Sequence, residues 1–296
     1  MDIKDGKHQH FVRKEGIFMA NYKLVSDSTS NLFDMEGINY AYVPMKINCG
    51  GVEFVDTPAL DLKNMEAQLK KSKERSGTSC PNAQEWLDAY EGGDHVFAVT
   101  ITGTLSGSYS AARQAKADYE EAHPGARVHV INSLSAGPEM ELILYKLKEL
   151  IDAGKDFDTI KAEITEYQKH TRLGFALLCL DNLARNGRVN KAVAKVAGVL
   201  NIRVVGKAST EGTLEPMHKA RGEAKMLSAI LSVMEGEGYD GGRVILRHAD
   251  NGAAAELLRI EIQQKFPTAK VDIDTCTGLC TYYAETGGLM IGFEVK

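Results

Sequence analysis

The sequence predicts an α/β protein made of two lobes: an N-terminal lobe with a largely parallel sheet flanked by helices, and a C-terminal α+β lobe, with a ligand cleft between them. Three observations lead to this prediction. Apolar runs in the first half end in hydroxyl-rich loops that enter helices, which is typical of parallel strands. This alternation of apolar runs and hydroxyl-rich loops ends near residue 170. The length of 296 residues exceeds that of a typical single doubly wound domain and suits two lobes.

Residues 94–112 give the clearest signal of the first lobe. A predicted buried strand over 96–101 is followed by hydroxyls at alternate positions, Thr102 and Ser106 among them, and Gly107 stands just before a helix. Glycine lets the backbone approach a ligand closely, and a helix N-terminus favours an anion. The loop has no charged residue, so it would hold an anion with neutral donors.

The same arrangement recurs elsewhere in the first lobe. Predicted strands over 22–25 and 128–131 are also followed by hydroxyl-bearing loops, and a fourth hydroxyl cluster precedes a predicted helix that ends near residue 90. Because the carboxyl ends of parallel strands lie along one edge of a sheet, the set predicts a polar pocket. Helix capping and turn formation explain each loop taken alone. The candidate ligand contacts in these loops are Asp27, Ser28, Thr78, Ser79, Thr102, Ser106 and Gly107.

The division that we expect is an N-terminal lobe over 21–170, which includes a helix over 157–168, and a C-terminal lobe over 171–296. Residues 1–20 are polar and are interpreted as a flexible tail or upstream extension. The apolar run 173–180 is typical of a buried strand. Further strands of the second lobe are predicted over 202–205, 213–216, 243–246, 270–274 and 289–295, with helices over 191–200, 220–236 and 253–266.

Two features of the second lobe are candidates for contact with a ligand. Arg188 lies in a predicted turn after Asn186-Gly187, and a guanidinium is a natural partner for a carboxylate or a phosphate. His248 directly follows a predicted strand and precedes Asp250 and Asn251. A histidine at a strand end suits a structural hydrogen bond and a site role equally.

Composition limits the class of function. The formal net charge of -5 and the pI near 5.9 exclude the basic face of a nucleic-acid-binding protein. The cysteines are odd in number, 5 in all, and form no C-x-x-C pair, so neither a disulfide framework nor a zinc ribbon is indicated. The sequence has no apolar run near the ~20 residues of a membrane span. We therefore expect a cytoplasmic protein without stable membrane insertion.

The ordered motifs of the chain resemble those of the DegV family. The resemblance runs from about residue 22 to the C-terminus, and the set of motifs in this order is specific although each one is loose. The motifs are DSTSNL (27–32), GTSCPNA (77–83), TGTLSGSYSAA (102–112), NSLSAG (132–137), LARNGRV (183–189) and RHADN (247–251).

The resemblance implies a two-lobed carrier that binds a long-chain fatty acid between its lobes and is not itself catalytic. Some members of the family hand the acid to an ATP-dependent fatty acid kinase. Thr78 and Ser106 match family positions that hold the carboxylate, and Arg188 matches an arginine near the ligand head or the kinase-facing surface. The chain departs from the family at its C-terminal motif, where Ala284 occupies the position of a family histidine and Glu285 follows. The resemblance implies neither a cofactor nor a metal.

Two alternatives from other classes remain open at this point. The first is a serine esterase or acyl transferase in which Ser106 is the nucleophile and His218 or His248 the base, although the G-x-S-x-G turn is missing. The second is a phosphate-ligand-binding protein, since hydroxyl loops suit a phosphate as well as a carboxylate. The sequence contains no G-x-x-x-x-G-K-[ST] motif for a nucleotide.

Overall fold

The computed structural model describes residues 21–72, 74–190 and 202–296. The strands of these residues are β1 (Tyr22–Asp27), β2 (Asn39–Val43), β3 (Lys46–Cys49), β4 (Val52–Val55), β5 (Gly77–Ser79), β6 (His95–Thr100), β7 (Arg127–Asn132), β8 (Thr171–Leu177), β9 (Ile202–Ala208), β10 (Leu214–Arg221), β11 (Arg243–His248), β12 (Lys270–Thr275) and β13 (Leu289–Glu294). Their helices are α1 (Leu62–Lys71), α2 (Ala83–Tyr90), α3 (Ser108–Ala122), α4 (Pro138–Asp152), α5 (Phe157–Tyr167), α6 (Asp181–Arg185), α7 (Glu223–Gly236), α8 (Gly252–Lys265) and α9 (Gly278–Ala284).

The first sheet is fully parallel, in the order β2-β1-β6-β7. Its two central strands, β1 and β6, are buried along most of their length, as expected for the central strands of a parallel sheet. Three of the predicted hydroxyl loops follow β1, β6 and β7 and therefore lie at one edge of this sheet. The fourth does not lie there. It belongs to β5 of a separate antiparallel sheet, β4-β3-β5.

The third sheet contains six strands in the order β10-β9-β8-β13-β11-β12. Its pairs are antiparallel except β11 with β12. A parallel sheet flanked by helices and a second, mixed sheet with its own helices confirm the predicted fold class. The predicted tail over 1–20 and the predicted helix over 191–200 lie outside the described residues.

Helix α4 packs between the two large sheets. It contacts β1 and β6 on one side and β8, β11 and β13 on the other. Every residue from Pro138 to Leu144 is buried. The approach to β13 is close, because a Cβ added to Gly292 would lie 2.5 Å from the carbonyl carbon of Pro138. The helix therefore fixes the spacing of the two lobes.

A buried ion pair joins α4 to β11. Arg247 donates through Nε to Glu141 Oε1 at 2.9 Å and through Nη2 to Glu141 Oε2, while its Nη1 reaches Asp272 Oδ2 at 2.9 Å. The Glu141 side chain is 0% exposed and the Arg247 side chain 6%. Burial opposes the charge on Arg247, but the two carboxylates raise its pKa above the ordinary value.

We predict that Arg247→Ala lowers the free energy of unfolding by about 3–5 kcal/mol, because it leaves the Glu141 carboxylate buried without a counter-charge. The exposed pair Arg259–Glu256 provides the control, and Arg259→Ala should cost less than about 1 kcal/mol. Urea denaturation at neutral pH measures both values. Similar losses in the two variants would contradict the prediction, and the double variant Arg247→Met/Glu141→Leu should recover much of the first loss.

Candidate functional site

A cavity of about 300 Å³ lies between the loops of the parallel sheet, the small antiparallel sheet, α9 and the six-stranded sheet. Both lobes contribute to its walls, so we call it the central cavity. Its lining residues are Thr29, Met45, Thr78, Ser79, Cys80, Ile101, Leu105, Ser106, Gly107, Ala136, Leu173, Phe175, Leu177, Leu183, Arg188, Leu214, Leu279, Cys280, Tyr283, Ala284 and Met290.

The interior wall of the central cavity is apolar. Leu173, Phe175 and Leu177 alternate along β8 and therefore point to the same face of the sheet. Met290 on β13 pairs directly with Phe175. Such a surface offers a hydrocarbon no competing hydrogen bond and favours it by burial from water.

Hydroxyl groups lie at the opposite end of the central cavity, which we call the hydroxyl end. Thr78 on β5 makes a hydrogen bond of 2.7 Å with the Tyr283 hydroxyl from α9. Ser106 is half-buried, and its Oγ accepts from the backbone N–H of Ser108 at 3.3 Å. Ser79 and Gly107 are exposed at the rim. The structure thus brings four of the predicted site residues to one end of the cavity, although they come from different sheets.

A polar recess lies outside this hydroxyl end. It shares Leu105, Ser106, Gly107 and Arg188 with the central cavity. Arg188 donates through Nε to the carbonyl of Leu105 at 3.0 Å and through Nη1 to the carbonyl of Asn186 at 2.5 Å. It therefore ties the turn after α6 to the loop after β6 and places a positive charge at the mouth.

Two of the predicted site residues form hydrogen bonds inside the protein and do not line the central cavity. Asp27 is 0% exposed and accepts from Thr29 N at 3.2 Å, Ile101 N at 2.9 Å and Ser108 Oγ at 2.7 Å. Burial raises its pKa to about 6, and these hydrogen bonds oppose the rise. Ser28 donates to Asp56 Oδ2 at 2.8 Å and accepts from Met45 N at 3.0 Å. Both residues hold loops together.

Thr102 and His248 also lie outside the lining of the central cavity. Thr102 is 1% exposed, and its Oγ1 accepts from Thr104 N at 3.3 Å. His248 Nδ1 accepts from Asn251 N at 3.2 Å in the turn that leads into α8. Burial lowers the pKa of His248, which suits this acceptor role. Thr102 follows β6 and His248 is the last residue of β11, but Thr102 Oγ1 and His248 Nδ1 accept hydrogen bonds within the turns themselves.

Asp56 is a site-forming residue that the sequence analysis missed. It is 0% exposed and accepts from Gly278 N at 2.7 Å and Leu279 N at 3.0 Å, the first N–H groups of α9. Burial raises its pKa, and the bonds to Leu279, Ser28 and Gly278 oppose that rise. Because α9 carries Tyr283 and Ala284 into the cavity wall, Asp56 positions that wall. The sequence analysis missed this role because Asp56 and Gly278 are 222 positions apart, and no local pattern links them.

Glu285, which follows Ala284 at the position of the family histidine, points away from the central cavity. Ala284 is buried in the wall, whereas Glu285 has a φ of +52° and its Oε1 accepts from Asn182 N at 3.1 Å, at the start of α6. This carboxylate is therefore directed towards the N-terminus of α6; burial raises its pKa, and the hydrogen bond from Asn182 opposes that rise. It does not compete for the hydroxyl end.

The geometry does not assemble a catalytic triad. Among the histidines of residues 21–72, 74–190 and 202–296, none lines the central cavity and none makes a hydrogen bond with Ser106. The described part of the chain also contains no group of three or more His, Cys, Asp or Glu residues that could hold a metal ion. Within the same ranges, every helix is too short or too polar to cross a membrane.

We predict that Asp56→Asn lowers the free energy of unfolding by about 1–3 kcal/mol, because an amide places its own N–H groups against buried donors. Asp61→Asn is the matched control. Asp61 is the exposed N-cap of α1, where Asn caps a helix as well as Asp, so its effect should be a few tenths of a kcal/mol. Denaturant unfolding with hydrogen exchange at α9 measures both, and unchanged protection of α9 in Asp56→Asn would contradict the assigned role.

Known proteins are similar to this chain in architecture and in sequence. The family model described as "Uncharacterised protein, DegV family" matches residues 21–296. A DegV domain-containing protein of Streptococcus pyogenes is 42% identical over 278 residues, which cover 93% of this chain and 99% of the relative.

Two solved structures are similar over the same span. A DegV family protein from Eubacterium eligens, loaded with heptadecanoic acid, has a TM-score of 0.91 at 42% identity. The Streptococcus pneumoniae Fatty Acid Kinase (Fak) B3 protein, loaded with linoleic acid, has a TM-score of 0.91 at 41% identity. Each match covers 93% of this chain and 100% of the other. The resemblance found in the ordered motifs is confirmed, and the chain belongs to the DegV family.

Proposed function

We propose that this protein is a non-catalytic carrier of a long-chain fatty acid, which it holds in the central cavity. The observation that carries the proposal is the division of this cavity into an apolar interior and a hydroxyl-lined mouth. A fatty acid has the same division. The pneumococcal and Eubacterium eligens proteins, which are similar over nearly the whole chain, were crystallised with linoleic and heptadecanoic acid, and this supports the assignment.

The acyl chain lies along the β8 wall in this proposal. Burying a methylene contributes about 0.8 kcal/mol, so ten buried methylenes supply about 8 kcal/mol before the costs of ordering the chain are subtracted. The wall around Phe175 therefore provides most of the affinity. The hydroxyl end sets the direction in which the acid enters.

The carboxylate lies against Thr78 and Ser106 in this proposal. Both are neutral donors, and Tyr283 extends the hydroxyl set through its bond to Thr78. Arg188 stands at the mouth, where its side chain is held by two backbone carbonyls. Because the hydroxyls are neutral, release of the acid leaves no unpaired charge buried in the protein.

Denaturing extraction of the purified protein followed by mass spectrometry tests the ligand. We expect near-stoichiometric fatty acid from the wild type and at least tenfold less from Thr78→Val/Ser106→Ala, since hydrogen bonds to a charged group contribute about 1.5–3 kcal/mol each. Ser228→Ala, an exposed hydroxyl on α7, should retain the wild-type amount.

A folded wild-type protein that neither contains nor takes up fatty acid would contradict the carrier assignment. The two other function classes give distinct results. Turnover of a chromogenic ester that is lost in Ser106→Ala would favour an esterase, and thermal stabilisation by a sugar phosphate would favour a phosphate-ligand-binding protein.

We infer further that the loaded carrier presents its carboxylate to an ATP-dependent fatty acid kinase. The hydroxyl end opens into the polar recess beside Arg188, so an acceptor oxygen of the ligand would face outward. The 41% identity to the pneumococcal Fak B3 protein supports this partner. The chain itself lacks the P-loop sequence for nucleotide binding.

This partnership is tested with the purified catalytic subunit of a streptococcal fatty acid kinase, magnesium, ATP and the loaded carrier. We expect acyl phosphate, trapped as a hydroxamate, only when all four components are present. The Thr78→Val/Ser106→Ala variant should reduce the product about as strongly as it reduces loading. Failure of a fully loaded carrier to support product formation would contradict the kinase partnership and leave the carrier assignment intact.

A further inference from the structure

The middle of the β8 wall is formed by one row of residues that crosses three strands. Phe175 on β8 pairs with Met290 on β13 and with Gly206 on β9. Directly opposite residues of antiparallel strands share a face of the sheet, so this row lies in the floor of the central cavity. Leu173 and Leu177 stand on either side of the row along β8 and also line the cavity. An acyl chain that follows β8 therefore crosses the row.

The absence of a side chain at Gly206 gives the Phe175 ring its position. A Cβ added to Gly206 would lie 2.6 Å from Cζ and 3.0 Å from Cε2 of Phe175. The ring therefore leans sideways over the backbone of β9 and does not stand upright from β8. Phe175 lines the cavity and is 3% exposed, and Gly206 beneath the ring is buried. The ring has no free space on the side of the sheet into which it could retreat.

Met290 packs against a second glycine at the other border of the row. A Cβ added to Gly137, the residue before α4, would lie 2.7 Å from the methyl carbon of Met290. The Met290 side chain therefore ends against the start of α4, which bounds the floor at β13. Between β8 and β9, the depth of the floor is set by the ring of Phe175.

We propose that Phe175, leaning over Gly206, determines the shape of the acyl chain that the central cavity accepts. It leaves depth for an unbranched chain and excludes a chain that carries a branch where it crosses the row. This assignment rests on the proposed carrier function. Because protein interiors are close-packed, an additional methyl group at the row has to displace the ring, and the backbone of β9 lies directly beneath it.

Phe175→Leu tests the assignment, because leucine is too short to cover Gly206 and deepens the floor. A variant at Gly206 is unsuitable, since a Cβ there would also clash with the carbonyl oxygen of Glu215. Delipidated protein is offered equal amounts of octadecanoic acid and of its derivatives with one methyl branch at the eighth, tenth or twelfth carbon. Mass spectrometry then measures the acids that are bound.

The wild type should retain octadecanoic acid in about tenfold excess over at least one branched acid, which is the size of effect that overpacking an interior produces. Phe175→Leu should bring that ratio to within about twofold of one. Phe175→Met is measured beside it, because a flexible side chain of similar volume keeps the fold but yields to the ligand, and its ratio should lie between the other two.

Phe293→Leu is the matched control. Phe293 is on β13 of the same sheet, is 0% exposed, and lies in the core on the opposite face from the cavity. The substitution removes the same atoms from the sheet and should keep the wild-type ratio. Urea unfolding of the delipidated proteins establishes that each variant is folded.

Equal uptake of all the acids by the wild type, or a wild-type ratio in the folded Phe175 variants, would overturn the assignment and leave the carrier function intact. A ratio that is lost in Phe293→Leu as well would show that loosening of the sheet relaxes the selectivity, and this would also overturn the role of Phe175. A wild type that takes up none of the acids would contradict the carrier function itself.

Discussion

The position of α4 between the two large sheets is the constraint on which the rest of the structure depends. Its first two turns are buried on all sides, and they include two carboxylates, Glu139 and Glu141. Each carboxylate has a partner from the second lobe: Thr171 donates to Glu139 at 2.8 Å, and Arg247 pairs with Glu141. Because a buried carboxylate without a partner is strongly destabilising, the lobes have one favourable relative position. The central cavity, with Ala136 just before α4, takes its shape from that position.

Carboxylates and hydroxyls have separate roles around the cavity. Asp27 and Asp56 are fully buried and gather backbone N–H groups from loops that are far apart in sequence. The neutral hydroxyl residues Thr78 and Ser106 line the space that remains. The carboxyl groups of Asp27 and Asp56 lie behind the loops, where N–H and O–H groups of the protein donate hydrogen bonds to them. It leaves a hydroxyl surface that is suited to an anionic head group.

The sequence predicts three strands of the parallel sheet, β1, β6 and β7, because each is rich in apolar residues and is followed by a hydroxyl loop, but it misses the edge strand β2. It misses β3, β4 and β5, which contain only 3 or 4 residues each and lack a full alternating pattern. It also misses α9, a helix of 7 residues whose start is defined by the distant Asp56. Short elements of this kind depend on tertiary contacts that no local pattern records.

The candidate site shows the same limit at the level of single side chains. Thr78, Ser79, Ser106, Gly107 and Arg188 line the cavity, whereas Asp27, Ser28, Thr102 and His248 form hydrogen bonds within the protein. The two groups share residue types and motif positions. Which side of a loop faces the cavity is decided by partners elsewhere in the fold, so Tyr283 could not be selected from the sequence.

The charge distribution along the cavity suits the proposed function, in which the protein retains a fatty acid and presents its carboxylate. The interior around Phe175 is apolar, the hydroxyl end is neutral, and the positive charge of Arg188 stands only at the mouth. In the proposed function, retention depends on buried hydrocarbon, while the neutral donors Thr78 and Ser106 fix the carboxylate without neutralising it. Since Glu285 is directed to α6 and Ala284 is apolar, no acidic side chain of the C-terminal motif opposes this arrangement. In the proposed function, an acid bound in this way keeps its charge beside Arg188 at the mouth, where an approaching partner would meet it.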